Sequence, residues 1–163
     1  MVLKEISGSL LDSGCNVICH QVNCRGFMVS ETSKAIKREF PRAFEQYSWF
    51  LRNNLIICDG RKLNSRDFLG LCQIVKTETG KYVANLFGQD DFGNTPGKVY
   101  TDYDALLCSL FALRRLVLFG GYNIKSIAFP YGLGSDAGSD WTKVKNLIIG
   151  TFKDLDITVE IRK

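Results

Sequence analysis

The chain has 163 residues, of which 45% are apolar, and a formal net charge of +4. This length and apolar content suffice for one sizeable core, so we expect a single domain over residues 1–163. Lys and Arg occur in no run longer than two, which argues against sequence-specific nucleic-acid binding. The first residues, MVLKEISGSLL, lack the apolar core of a signal peptide, and the apolar stretch at 105–119 is interrupted by Arg114 and Arg115. The sequence therefore predicts a soluble, cytoplasmic protein without a membrane partner.

Six cysteines lie at irregular spacings, with no C-x-x-C pair. A structural zinc site needs four ligands, and the one local cluster, formed by Cys19, His20 and Cys24, has no second pair to complete it. We therefore expect buried, reduced thiols, no metal and no cofactor.

Strand and helix patterns alternate along the chain, which is typical of the α/β class. Apolar runs predict strands at residues 2–6, 16–21, 55–58, 70–76, 81–87, 125–130 and 157–161. Apolar residues at helical spacing predict helices at residues 31–39, 41–52, 102–119 and 141–152. Ser30 and Thr101 are the expected caps of the first and third helices, and Ser139 or Asp140 that of the last. A Gly80 turn joins the fourth and fifth strands in a hairpin, so we expect a mixed sheet.

Two glycine-containing loops each follow an apolar strand and precede a helix, at residues 23–30 and 131–140. In open α/β sheets, such loops lie at the carboxyl ends of the strands and direct backbone N–H groups towards anionic ligands. Together they predict a site for a ligand with two phosphates, although ordinary connections share this composition. A further long loop at 88–97 also has the character of a functional segment. None of these loops matches a P-loop or a G-x-G-x-x-G fingerprint.

Several short motifs resemble those of macrodomains, the ADP-ribose-recognition fold. They are Gly8 with Leu10-Leu11, ICHQVNCRGFM at 18–28, FP at 40–41, NLFGQ at 85–89, TDYDAL at 101–106, and PYGLG followed by GSDW at 130–141. The chain resembles small stand-alone macrodomains that remove ADP-ribose from protein or DNA, or that dephosphorylate ADP-ribose phosphate. The resemblance implies a three-layer α/β/α fold with a mixed sheet of about six strands.

The resemblance and the loop chemistry together give a set of candidate ligand-binding residues. They are Ser9, Leu10, Asn23, Gly26, Met28, Val29, Ser30, Glu31, Phe92, Tyr131, Gly132, Leu133, Gly134 and Ser135. Asn23 matches the family asparagine that contacts the distal ribose; alternatively, it only caps its loop. Phe92 and Tyr131 are candidates to stack on a base or a ribose, or they cover the core.

Two residues are candidates for acid or base catalysis. His20, the only histidine, lies near the end of the second strand and is either such a group or a buried core residue. Asp136 lies in the second glycine loop, where some macrodomain hydrolases carry an acidic residue. The family's catalytic lysine has no counterpart near Gly88 and Gln89, so we do not expect the lysine-dependent route.

The ligand loops depart from the macrodomain pattern at several positions. Ser9 stands where macrodomains have an aspartate for the adenine amino group, residues 29–33 replace a glycine-rich diphosphate loop, and Asp136 replaces a glycine. Glu31 is expected in the first turn of its helix, where its carboxylate would occupy the N–H groups that a phosphate needs. A carboxylate about 5 Å from a phosphate would weaken binding by up to about a hundredfold.

Three functions stay open on this evidence. The first is recognition of ADP-ribose or a related nucleotide, weakened by the altered loops. The second is hydrolysis of ADP-ribosyl groups or of ADP-ribose phosphate. The third is a degenerate macrodomain that acts as a protein-interaction module. The first two need an open cleft, whereas the third predicts an occluded one.

Overall fold

The computed structural model of the protein describes residues 1–53 and 63–163. Within these residues it contains six strands: β1 (Val2–Ile6), β2 (Val17–Asn23), β3 (Cys72–Lys76), β4 (Tyr82–Gln89), β5 (Ser126–Pro130) and β6 (Thr158–Arg162). They form one sheet in the order β1-β6-β5-β2-β4-β3. The strand predicted at residues 55–58 lies outside the described residues.

The sheet is mixed, as predicted. Every neighbouring pair is parallel except β3 and β4, which form the predicted antiparallel hairpin. Strand β2 pairs with β4 on one side and with β5 on the other, and all seven of its residues are buried. Burial on both faces explains the nearly continuous apolar run of this strand. The predicted central position of β2, next to the strand at 125–130, is therefore confirmed.

Helices cover both faces of the sheet. In the described ranges the α-helices are α1 (Glu31–Glu39), α2 (Pro41–Asn53), α3 (Tyr103–Phe119) and α4 (Trp141–Phe152). Helices α1 and α2 bury Ile36 and Tyr47 against one face. Helices α3 and α4 bury Leu110 and Ile148 against the other face, in the largest apolar cluster. The predicted three-layer α/β/α architecture is confirmed.

The helix caps agree with the sequence in two cases and differ in a third. Ser30 caps α1 and Asp140 caps α4, as predicted. The prediction that Thr101 caps α3 is wrong, because Thr101 is held in an isolated antiparallel bridge with Gln89. The helix therefore begins later, and the Asp102 carboxylate accepts a hydrogen bond from a first-turn N–H at 2.9 Å.

The cysteines of the described residues are mostly buried thiols, and Cys58 lies outside these residues. Cys15, Cys19 and Cys24 are buried, and Cys72 is half-buried. Cys108 is exposed on the outer face of α3, so the expectation of a buried thiol is wrong at this position. No helix in the described part of the chain is long and apolar enough to cross a membrane.

The parallel strands bring both glycine loops to one edge of the sheet. Strands β2 and β5 are parallel neighbours, so their carboxyl ends lie side by side. The loop at 23–30 follows β2 and the loop at 131–140 follows β5. Residues of both loops line one cavity, which confirms that the two loops converge.

Candidate functional site

A cleft with three sections runs along the carboxyl edge of the sheet. The aromatic section, of about 410 Å³, contains Phe27 and Phe92 and lies at the ends of β2 and β4. The glycine section, of about 70 Å³, lies between the start of α1 and the loop that contains Gly132 and Gly134. The β1 section, of about 500 Å³, lies next to Ser9. The sections follow one another in the same order as the strands below them.

Shared residues join the three sections into one groove. Gln21, Ser30 and Asp136 line both the aromatic and the glycine sections. Thr32 and Tyr131 line both the glycine and the β1 sections. The aromatic and β1 sections are wide, and the glycine section between them is narrow, at about 70 Å³. The described residues thus form a cleft, as the two nucleotide hypotheses require, and not the occluded surface that the degenerate alternative predicts.

Residues around the glycine section carry backbone N–H groups that have no acceptor among the described residues. Glu31 and Thr32 supply the first N–H groups of α1, which have no partner within their own helix. Within the described residues, the N–H groups of Gly132, Leu133 and Gly134 also make no hydrogen bond. A helix start that faces a glycine-rich turn is a favourable environment for an anion.

In the described ranges, cationic side chains do not line the part of the cleft where these donors lie. Among the described residues, no Lys or Arg lines the glycine or the aromatic section. Arg162 and Lys163 line the β1 section, but both are engaged in ion pairs, with Glu160 at 2.8 Å and with Glu5 respectively. Of the groups that the structure describes, a phosphate bound there would therefore interact with backbone dipoles and not with a cationic side chain.

The two carboxylates predicted near the anion site behave differently. The Glu31 side chain is 90% exposed and pairs with Lys34 at 3.1 Å. The expectation that Glu31 fills the anion site is therefore wrong, because the Ser30 hydroxyl caps the helix by accepting from the Ser33 N–H at 3.1 Å. Glu31 still lines the aromatic and β1 sections, whereas Asp136 is exposed and lines the aromatic and glycine sections. A diphosphate in the glycine section would therefore meet the Asp136 carboxylate.

Gln21 lies at the base of the cleft and was not predicted as a site residue. Its Nε2 donates to Gln89 Oε1 at 2.7 Å and to Thr101 Oγ1 at 2.9 Å. Its Oε1 is buried and has no hydrogen-bond partner within the described residues. A Cβ added at Gly88 or Gly134 would lie 2.8 or 2.9 Å from this oxygen, so the amide packs directly against both glycines. The available signal was a long polar side chain near the end of a buried strand.

His20 lines the glycine section but is only 1% exposed. Its Nε2 lies 2.6 Å from Asn85 Oδ1, and Nδ1 has no partner in the described part of the chain. Burial lowers the pKa of His20 to about 4. The ring is therefore neutral near pH ~7, with Nε2–H donating to Asn85. This geometry favours the core alternative for His20 over acid catalysis.

Asn23 organises the turn that follows β2. Its Oδ1 accepts from the N–H groups of Arg25 at 2.9 Å and Phe27 at 3.3 Å, and its Nδ2 donates to the Phe27 carbonyl at 2.7 Å. The Tyr47 hydroxyl donates to the Asn23 carbonyl at 2.7 Å and accepts from the Gly26 N–H at 3.2 Å. Asn23 thus has the loop-capping role that was the alternative to ribose binding, although it also lines the aromatic section.

Two aromatic pairs lie along the cleft. The rings of Phe27 and Phe92 are 5.2 Å apart and line the aromatic section, with Phe27 55% exposed. The Tyr131 ring lies 5.0 Å from the Trp141 ring beside the β1 section. Phe92 and Tyr131 were predicted, whereas Phe27 was missed because an apolar residue in a loop gives no sign of which way it faces.

The remaining predicted ligand residues divide into two groups. Those that line the cleft are Ser9, Leu10, Val29, Ser30, Glu31, Gly132, Leu133, Gly134 and Ser135. Gly26 and Met28 do not line it. Met28 is 7% exposed and packs in the apolar cluster under α2, while the Gly26 N–H is bound to Tyr47.

The three layers, the sheet order and the cleft at the carboxyl edge together define the macrodomain fold, which confirms the resemblance found in the sequence. The macrodomain of Mycobacterium tuberculosis DarG has a similar structure, with a TM-score of 0.75 and 23% identity over 99% of this chain and 97% of that chain. A macrodomain protein from Streptomyces coelicolor gives a TM-score of 0.72 and 23% identity over 99% and 98% of the two chains.

A third similar structure is Thermosipho africanus DarTG in complex with ADP-ribose. Its TM-score is 0.75 at 17% identity, over 99% of this chain and 41% of that chain. No protein-family model matches the sequence, and no curated protein matches it. At these identities the structural likeness establishes the fold.

Proposed function

We propose that the protein binds ADP-ribose or a related nucleotide in this cleft, with low affinity. The observation that carries the proposal is the joined groove with unpaired N–H groups in its middle section. The β1 section suits the base, the glycine section the diphosphate, and the aromatic section the distal sugar. The likeness to Thermosipho africanus DarTG, whose structure contains ADP-ribose, supports this choice of ligand.

Low affinity is expected from the charge distribution. A diphosphate in the glycine section would meet N–H dipoles but no Lys or Arg among the described residues. It would also meet the Asp136 carboxylate, which lines the same section. Because Asp136 is exposed, solvent screens this repulsion, and we expect a loss of about tenfold rather than the hundredfold upper bound.

Isothermal titration calorimetry tests the proposal. We expect ADP-ribose to bind with a Kd on the order of 100 μM, and adenosine, which lacks phosphates, to bind at least about tenfold more weakly. The comparison measures the combined contribution of the glycine and aromatic sections, because adenosine lacks both the diphosphate and the distal ribose. Absence of binding at about 5 mM ADP-ribose by folded protein would contradict the proposal.

Substitution of Ser9 by aspartate should strengthen ADP-ribose binding by about five- to tenfold. Ser9 lines the β1 section, and its hydroxyl accepts from the Leu11 N–H at 3.2 Å, which caps the short 3-10 helix Leu10–Asp12. Aspartate also caps well, so the fold should tolerate the change, and its carboxylate would accept a hydrogen bond from a base amino group. Ser9→Asn is the matched control of equal size, and calorimetry measures both variants. Equal affinities of the two variants for ADP-ribose would mean that the base does not bind in the β1 section.

Hydrolysis is a second candidate function, favoured by the position of Asp136. Its carboxylate lines two sections and forms no ion pair among the described residues, so it is free to take a proton from a bound water. We expect slow release of ADP-ribose from modified protein or DNA, lost in Asp136→Ala and retained in Glu39→Ala. Glu39 is the matched control, an exposed carboxylate at the end of α1 that does not line the cleft. Turnover that persists in Asp136→Ala would exclude this mechanism.

A further inference from the structure

Helix α3 also carries large apolar side chains on the side that faces away from the sheet. Its inner residues Leu110 and Leu113 are fully buried against the sheet. On its outer side, Phe111 is 49% exposed, Leu118 47% and Phe119 82%. Large apolar side chains that lie exposed together on one helix face are typical of an interaction surface. The outer face of α3 therefore has the character of an interface.

The exposed residues on this face follow a regular spacing. The outer stripe consists of Asp104, Cys108, Phe111, Arg115 and Leu118, all exposed. Successive members are separated by four, three, four and three residues, which is the spacing of a coiled-coil seam. Cys108 and Phe111 lie in the middle of this stripe. Asp104 and Arg115, which have opposite charges, lie on either side of them.

We propose that the outer stripe is the interface between two copies of this chain, whose α3 helices pack antiparallel across a two-fold axis. Coiled-coil seams alternate two core positions, called a and d, and in an antiparallel pair each a residue faces a d residue of the other helix. Asp104 then lies opposite Arg115 of the second copy, and Cys108 lies opposite Phe111. Because the axis relates the two chains, each of these contacts forms twice.

Charge complementarity identifies a second copy, in this orientation, as the occupant. Neither Asp104 nor Arg115 has an ion-pair partner within the described residues. A parallel pairing would place like charges opposite each other, whereas the antiparallel pairing satisfies all four charges. The surface is thus complementary to itself.

The interface is small, so the dimer should be weak. The outer stripe spans 14 residue steps, which is about 21 Å of helix. A neighbouring groove of about 340 Å³ between α3 and β3, lined by Leu71, Ala112 and Phe119, adds apolar surface. Interfaces of this size are typical of weak, concentration-dependent association.

Sedimentation equilibrium from about 5 to 500 μM at low salt tests the proposal. The natural chain should dimerise. Asp104→Arg and Arg115→Asp should each weaken the dimer at least about tenfold, because each places like charges opposite each other. The double variant restores opposite charges and should return to within about threefold of the natural chain. Phe111→Glu should abolish association.

The matched control is Arg38→Asp, which makes the same charge change on the exposed surface of α1 and should leave the dimer constant unchanged. Circular dichroism verifies that every variant is folded. A natural chain that is monomeric at about 500 μM overturns the proposal. So does a double variant that associates no better than the single variants, which would indicate a different occupant or a different register.

Discussion

Alanine in place of Gly134 should abolish detectable ADP-ribose binding and lower the free energy of unfolding by about 3 kcal/mol. Gly134 has a φ of 76°, in the left-handed region that side chains rarely adopt. An added Cβ would also lie 2.9 Å from Gln21 Oε1 and 2.9 Å from Ser139 Oγ. Because these neighbours are themselves packed, the loop must move, and the N–H groups of the glycine section move with it.

Gly80→Ala is the matched control for this substitution. Gly80 also has a positive φ, of 85°, but it lies in the β3–β4 turn and an added Cβ would have nothing within 4 Å. The free energy of unfolding of Gly80→Ala should therefore fall by only about 1 kcal/mol, and its affinity for ADP-ribose should not change. Urea unfolding and calorimetry measure the two effects. Similar losses in both variants would contradict the close packing between Gly134 and Gln21.

Acidification from about pH 6.5 to about pH 4.5 should lower the free energy of unfolding by about 2 to 3 kcal/mol through His20 alone. Burial lowers the pKa of His20 from 6.5 to about 4. Between these values the unfolded chain binds a proton that the folded chain does not. The contribution of His20 to stability is therefore fully present above its pKa in the unfolded chain. It is lost as the pH falls towards its pKa in the folded chain.

A loss of stability between about pH 6.5 and about pH 4.5 can be assigned to His20, because His20 is the only histidine in the sequence. Ion pairs lower the pKa of Glu5 and of Asp154 to about 2, so the stability linked to these groups is lost only as the pH falls below about 4.5. Urea unfolding at several pH values should give a steep slope for the natural chain and a flat one for His20→Gln. Equal slopes would mean that His20 is accessible to protons in the folded protein.

The fold was predictable because its signals are local. The apolar run of β2, the Gly80 turn and the capping residue Ser30 each depend on a few neighbouring residues. The nearly continuous apolar run of β2 was enough to predict a strand that is buried on both faces and therefore central. The Asp102 cap was missed because it depends on the bridge between Thr101 and Gln89, which joins distant parts of the chain.

The site was predictable only in part, because side-chain direction is set by long-range packing. The glycine loops were located correctly, and so was the position of Asp136 in the cleft. Glu31 was expected over the anion site, but the Ser30 hydroxyl caps the helix, and the Glu31 carboxylate pairs with Lys34 instead. Gln21 and Phe27 could be recognised only once the strands and loops were assembled.

The central claim is that ADP-ribose lies along the cleft with its phosphates on backbone N–H groups. A titration followed by two-dimensional amide NMR tests it most directly. We predict saturable shifts of the amides of Thr32, Gly132 and Gly134, and little change at Gly80, which lies in the hairpin turn away from the cleft. Shifts confined to other surfaces, or no saturable shift at about 5 mM ADP-ribose, would contradict the account.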